Sequence, residues 1–167
     1  LTAMATGKEV RYEDIYTEGI TGITETDFRY ADMLGASVKL FGSSRMKHGR
    51  VYSWVAPLMI GKDHPLYSIS GVYNGILVRG NMVGTTMYYG SGAGKLPTAS
   101  AVVSDMIEEA RFSQEHVEMG WSEERLAVAP VEEDRYGYFV RISGSPEQTK
   151  TLVEAKLNVH RFLELDN

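Results

Sequence analysis

The stretch GSGAGKLPTAS (90–100) constrains the fold more than any other part of this sequence, because its glycines separate two kinds of pattern. Before it, VYNGILVR (72–79) and MVGTTMYY (82–89) are rich in β-branched and aromatic residues and flank Gly80-Asn81, a hairpin signal. After it, apolar residues recur at i, i+3, i+4 and i+7, which predicts a helix over 97–112. The chain must therefore pass from an antiparallel hairpin into a helix through a glycine-lined turn.

Two further patterns extend this mixture of helix and strand toward the N-terminus. A helix is predicted over Thr24–Leu34, where Thr24 and Asp27 stand in a capping-box spacing. Residues 37–43 and 51–60 are strand-like and are joined by a turn at 47–50. Helices and strands in this order predict an α+β fold.

The C-terminal part is less regular. Residues 113–134 are polar and mixed, which is typical of a linker. YGYFVRI (136–142) predicts one more strand, and 145–157 predicts a short helix. These two elements have few partners in sequence, so we expect them to open a second domain.

Composition excludes several classes of function. The chain has 167 residues and a formal net charge of −5, with Lys and Arg scattered, so we expect neither a nucleic-acid partner nor an anionic membrane surface. It has no cysteine, which excludes a disulfide framework and a thiolate nucleophile and fits the reducing cytoplasm. Because residue 1 is Leu and no signal-peptide pattern follows, we expect the chain to begin within a longer protein.

The glycine run comes close to two phosphate-binding patterns and matches neither. The ATP-type loop needs G-x-x-x-x-G-K-[ST], but this run is one residue short and Leu96 replaces the hydroxyl. The dinucleotide fingerprint G-x-G-x-x-G needs a βαβ unit, whereas hairpin strands precede this run. Bare backbone N–H groups at the start of a helix still favour a ligand. A ligand-binding turn and a purely structural turn therefore both remain open.

Other polar residues give weaker signals. No pair of histidines has metal-ligand spacing, so no metal is expected. His64 stands in the polar cluster 62–65 and is interpreted as a loop histidine bonded to its neighbours. Glu18 and Glu25 show no pairing for acid–base work, and Ser91 lacks a nucleophile-elbow pattern.

Several blocks together resemble homoserine dehydrogenase. They keep their order and spacing over about residues 1–112, and the longest is the glycine run with its helix. The blocks are YTEGITGI (16–23), LGASVKL (34–40), PLMI (57–60), KDHPL (62–66), GVYNGI (71–76), YGSGAG (89–94) and PTASAVVSD (97–105).

The resemblance implies an NAD(P)-dependent oxidoreductase that interconverts L-aspartate 4-semialdehyde and L-homoserine, for threonine, methionine and isoleucine synthesis. It implies a mixed, largely antiparallel sheet with helices on one face, which binds the small-molecule substrate and joins two subunits as a homodimer. It also implies that the glycine turn borders the nicotinamide end of NAD(P). The implied cofactor-binding residues are Gly92, Ala93 and Gly94, of which Gly94 matches the family glycine beside the cofactor.

The resemblance also divides the chain. It implies a substrate-binding and dimerisation domain over 1–91, incomplete at its N-terminus, and a turn and helix over 92–112 that pack toward a nucleotide domain. Residues 113–134 are then a linker, and 135–167 the start of a truncated ACT-like domain. The family's Rossmann fingerprint and its lysine-bearing E-x-D-P segment have no match in the sequence. No catalytic residue is therefore carried over, and we expect the isolated chain to be inactive.

Two other functions compete with this one. A non-catalytic dimerisation or binding module would need only the fold. A phosphate-binding enzyme would use the glycine run with Lys95, against which the missing Ser or Thr already counts.

Overall fold

The computed structural model describes residues 1–113 and 120–165, which fall into two compact units. One unit comprises residues 1–11 and 60–126, and the other comprises residues 12–59 and 127–167. The elements confirm the predicted α+β class. The helices and strands, in chain order, are α1 Thr2–Thr6, β1 Lys8–Glu9, β2 Tyr16–Thr17, α2 Glu25–Met33, β3 Ala36–Lys47, β4 Arg50–Gly61, β5 Tyr73–Gly80, β6 Gly84–Ser91, α3 Lys95–Phe112, β7 Ser122–Arg125 and α4 Pro146–Glu154.

The β5–β6 hairpin is the main element of the first unit. The two strands pair antiparallel from Tyr73↔Ser91 to Gly80↔Gly84, so the connecting loop has three residues, 81–83. The hairpin is confirmed, but its register differs from that of a two-residue turn at Gly80-Asn81. Gly84 has a φ of +77°, a left-handed conformation that glycine adopts without steric cost.

A small parallel ladder completes the strands of this unit. Strands β1 and β7 pair in parallel, with Lys8 opposite Ser122, and Lys8 Nζ lies 2.8 Å from Glu124 Oε2. Strand β7 lies inside the stretch that the sequence predicts as a linker. The sequence does not predict this strand, because its residues SEER show no alternation of apolar and polar side chains. Residues 114–119 of that stretch lie outside the described residues.

In the second unit, β4 is the central strand of a sheet with the order β2–β4–β3. His48 and Gly49 join β3 to β4 with φ values of +52° and +73°, which favours an antiparallel hairpin. Strand β2 pairs with β4 in parallel at Tyr16↔Trp54 and Thr17↔Val55. The sheet is therefore mixed, as expected.

Helix α2 keeps the capping pattern that its sequence predicts. The Asp27 carboxylate accepts hydrogen bonds from the Thr24 backbone N–H at 2.8 Å and from the Thr24 hydroxyl at 2.7 Å. Arg141 Nη1 approaches the same carboxylate at 2.9 Å, and Asp27 itself is buried. The hydrogen bonds from Thr24, helped by the Arg141 charge, lower the pKa of Asp27 below 3.8.

The strand predicted over 136–142 is wrong, because this stretch forms no strand. Its side chains instead pack within the second unit. The Tyr136 ring meets Trp54 edge-on at 5.8 Å between centroids, and Phe139 lies 5.6 Å from Tyr30. Nearby, Asp134 pairs with Arg45, and Glu133 pairs with Arg50. The predicted late helix is confirmed as α4, and Ser145 is its N-cap residue.

We predict that Asp27→Asn destabilises the chain at pH 7 by about 1 kcal/mol, because it removes the charge that Thr24 and Arg141 stabilise. The folded-state pKa of Asp27 lies below the unfolded value of 3.8. Its contribution is therefore complete above pH 3.8 and is lost as the pH falls through the folded pKa. Urea unfolding of both proteins at pH 7 and in the acid range measures the difference.

The control is Asp32→Asn, which changes an exposed carboxylate of the same helix. We expect it to leave the free energy of unfolding nearly unchanged at either pH. An Asp27→Asn effect that stays equal at both pH values would contradict the electrostatic origin.

Candidate functional site

The turn between β6 and α3 is tied to the start of β5. The Val72 carbonyl accepts hydrogen bonds from the Gly92 N–H at 3.0 Å and from the Ala93 N–H at 3.4 Å. Two of the three predicted cofactor-binding residues therefore already use their backbone donors within the protein. A phosphate cradle needs such donors free, so this geometry argues against one.

Gly94 gives the turn its sharp entry into α3. It is the N-cap residue of the helix, with φ +121° and ψ +148°, a conformation that L side chains rarely adopt. Its carbonyl accepts the Thr98 N–H at 3.1 Å and so forms the first helical hydrogen bond. A Cβ on residue 94 would lie 3.4 Å from Pro97 Cδ. Glycine at 94 thus permits this backbone conformation and leaves the start of the helix without a side chain.

Gly92 is closely packed against a side chain of the neighbouring strand. A Cβ on residue 92 would overlap the Asn74 side chain and lie 2.7 Å from Asn74 Cγ. Asn74 is opposite Gly90 in the β5–β6 ladder, so its side chain reaches the end of the neighbouring strand. The sequence reasoning missed both Val72 and Asn74. The hairpin pattern could have placed these two residues beside the turn only if the register of the strands had been known.

Helix α3 carries the predicted apolar stripe on an exposed surface. None of its residues is buried within the described part of the chain. The exposed large apolar side chains of α3 are Leu96, Val102, Val103, Met106, Ile107 and Phe112. The periodicity thus predicted the helix correctly, and its apolar stripe is exposed in the described part of the chain.

Two of the other candidate residues make hydrogen bonds to residues near them in the sequence. His64 accepts a hydrogen bond at Nδ1 from the Leu66 N–H at 3.2 Å, which confirms its interpretation as a loop histidine bonded to its neighbours. Glu18 is exposed and accepts a hydrogen bond from the Tyr16 hydroxyl at 3.0 Å, which raises the pKa of Tyr16. His116 lies outside the described residues.

Residues 1–113 and 120–165 carry neither a metal-ligand cluster nor a membrane-spanning helix. Over these ranges, no group of three or more His, Cys, Asp or Glu side chains could hold a metal ion. Within the same ranges, no helix is both long and apolar enough to cross a membrane.

Sequence comparison relates this chain to proteins of one family. The family profile for homoserine dehydrogenase matches residues 1–107. A homoserine dehydrogenase of Synechocystis is 46% identical over 111 residues, which cover 64% of this chain and 26% of that protein. One of Pseudomonas aeruginosa is 34% identical over 178 residues, which cover 98% of this chain and 41% of that protein.

Solved structures agree with the sequence matches. A homoserine dehydrogenase from Thiobacillus denitrificans superposes with a TM-score of 0.66 at 37% identity, covering 77% of this chain and 31% of that one. An S. aureus homoserine dehydrogenase at pH 6.0 gives a TM-score of 0.64 at 33% identity, covering 99% of this chain and 42% of that one.

The hairpin, the glycine turn and most of the helix that follows it lie within the region that matches a dehydrogenase family. More particularly, this chain belongs to the homoserine dehydrogenase family. It spans 26% to 41% of the length of the two curated relatives described above.

We predict that Gly94→Ala destabilises the chain by about 1–3 kcal/mol, because alanine is strained at a φ of +121°. Urea unfolding measures the change. The matched control is Gly90→Ala in the same run, where a Cβ meets open space and φ is not positive. Equal free energies of unfolding for the two variants would contradict the required conformation at Gly94.

Proposed function

We propose that this chain is the substrate-binding and subunit-joining part of an enzyme that interconverts L-aspartate 4-semialdehyde and L-homoserine with NAD(P). This reaction serves threonine, methionine and isoleucine synthesis. The observation that carries the proposal is the family match over residues 1–107, which includes the whole glycine turn. We also propose a cytoplasmic location, in keeping with the absence of cysteine from the sequence.

Gly92, Ala93 and Gly94 border the nicotinamide end of NAD(P) in this proposal. The residues fit that role because Gly94 presents no side chain at the helix start and is exposed. They do not fit a pyrophosphate cradle, since the Gly92 and Ala93 N–H groups bond to Val72. The cofactor supplies or accepts the hydride. The turn shapes the surface that a flat ring approaches, and glycines permit that close approach.

The parts of the chain have separate roles in this proposal. Residues 1–91 bind substrate and join subunits, and residues 92–112 pack toward a nucleotide-binding domain. Residues 113–134 connect them to an ACT-like segment over 135–167. The sequence contains no match to the family's proton-transferring lysine segment, so we propose that residues 1–167 alone do not transfer hydride.

A chimeric enzyme tests the proposed activity. The matching segment of the Synechocystis relative is replaced by that of this chain, to which it is 46% identical. We predict homoserine-dependent NADPH formation, followed by absorbance. Gly94→Ala in the chimera should raise the KM for NADP about tenfold, because a displaced turn misplaces the ring.

The controls separate activity from folding. Gly90→Ala in the chimera should keep the KM for NADP, and circular dichroism should show that all variants are folded. A folded chimera without activity would refute the proposed role of this segment. Homoserine-dependent NADPH formation by residues 1–167 alone would refute the inactivity of the isolated chain.

One face of the β5–β6 hairpin is our candidate for the subunit interface. Ile76, Val78 and Tyr88 share this face by strand alternation, and their exposed fractions are 48%, 45% and 64%. The opposite face is covered near Gly75, where a Cβ would lie 2.7 Å from Leu66 Cδ2. An uncovered apolar face of this kind favours association with a second copy.

We predict a folded dimer, with a mass near twice 18.6 kDa by light scattering. Ile76→Glu should shift the mass to that of a monomer, because it places a charge in the apolar interface. Thr85→Glu is the control, since Thr85 is exposed on the other face of the hairpin. A wild-type monomer, or equal effects of the two variants, would contradict this interface.

The alternatives have less support. A non-catalytic module would also form a dimer, so the mass from light scattering does not distinguish it from the proposed enzyme part. The activity of the chimera does. A phosphate-binding enzyme needs free N–H donors in the glycine run, but those of Gly92 and Ala93 bond to Val72.

A further inference from the structure

The path of the glycine turn is set by two contacts from the start of β5. The first is the Val72 carbonyl, which accepts the Gly92 and Ala93 N–H groups at 3.0 and 3.4 Å. This contact is made by backbone atoms, so it does not depend on the identity of residue 72. This contact restrains the turn at one oxygen atom only. The position of the turn backbone around that oxygen also depends on side-chain packing.

The second contact is made by the Asn74 side chain. It occupies the space beside Gly92 where any other residue would carry a Cβ, with its Cγ 2.7 Å and its Cβ 3.5 Å from that position. The three heavy atoms nearest to this position all belong to Asn74. Asn74 and Gly92 are thus a complementary pair, in which the larger side chain fills the space that the glycine leaves.

We propose that Asn74 is a positioning residue, which fixes the backbone of residues 92–94 and so the surface presented to the cofactor. The part of this inference that concerns the cofactor rests on the proposed function. The part that concerns the packing of Asn74 against Gly92 does not. Asn74 acts through Gly92, and we assign it no direct contact with the reacting atoms. A change at Asn74 should therefore loosen the turn without unfolding the β5–β6 ladder.

Amide hydrogen exchange, measured by NMR on the full chain, tests this role. In Asn74→Ala the Gly92 and Ala93 amides should exchange about tenfold faster, because the restraint beside them is gone. Amides in the middle of β5 and β6 should keep their rates. The control is Asn81→Ala, an asparagine in the loop at the other end of the same hairpin, which should change neither turn amide.

A double-mutant cycle gives a second measurement, which does not depend on assigning those amides. Gly92→Ala should lower the melting temperature by about 5 °C in the wild type, because its methyl overlaps Asn74. In an Asn74→Gly background the same change should cost less than half as much. Additive effects of the two substitutions would show that the residues do not interact.

The outcomes separate this inference from the proposed function. Unchanged exchange at Gly92 and Ala93, or a uniform rise along both strands, overturns the positioning role whatever the chimera does. An inactive folded chimera overturns the cofactor role of the turn, whereas the exchange pattern and the cycle still decide whether Asn74 fixes it. Local loosening together with non-additivity supports the inference.

Discussion

The two hydrogen bonds that the Val72 carbonyl accepts from Gly92 and Ala93 are the constraint on which the candidate site depends. They join the start of β5 to the end of β6 and hold the chain where it turns into α3. Gly94 can then adopt its positive φ, and its carbonyl begins the helix through Thr98. The same bonds occupy the Gly92 and Ala93 N–H groups, which a phosphate cradle would need free.

The second unit is held by a different combination of forces. Val51 and Trp54 of β4 are buried, and the chain after residue 127 packs on the same sheet through Ala129 and Tyr136. Charged pairs surround this contact. A buried carboxylate such as Asp27 is tolerated because Thr24 and Arg141 satisfy it, whereas an unpaired one would be expensive. The residues after 127 therefore pack against the sheet of this unit.

The apolar surface that stays exposed explains why assembly is part of the proposal. In the described residues, the buried apolar side chains are only Ala31, Val51, Trp54, Ile60 and Ala129. The stripe of α3 and the Ile76 face of the hairpin are apolar and exposed, as surfaces that a partner covers often are. A second copy on the hairpin and a nucleotide-binding domain on α3 are the two occupants that we propose.

The sequence by itself determined the local elements and the family, because periodicity, capping and glycine placement are local properties. It predicted α3 and the α2 capping box, and its blocks identified the homoserine dehydrogenase family. Only the tertiary structure decided the register of β5 against β6, since a three-residue loop places Asn74 opposite Gly90. It also decided that YGYFVRI forms no strand, because aromatic packing on Tyr30 and Trp54 replaces strand pairing there. Contacts of this kind join residues far apart in the chain, and propensity carries no information about them.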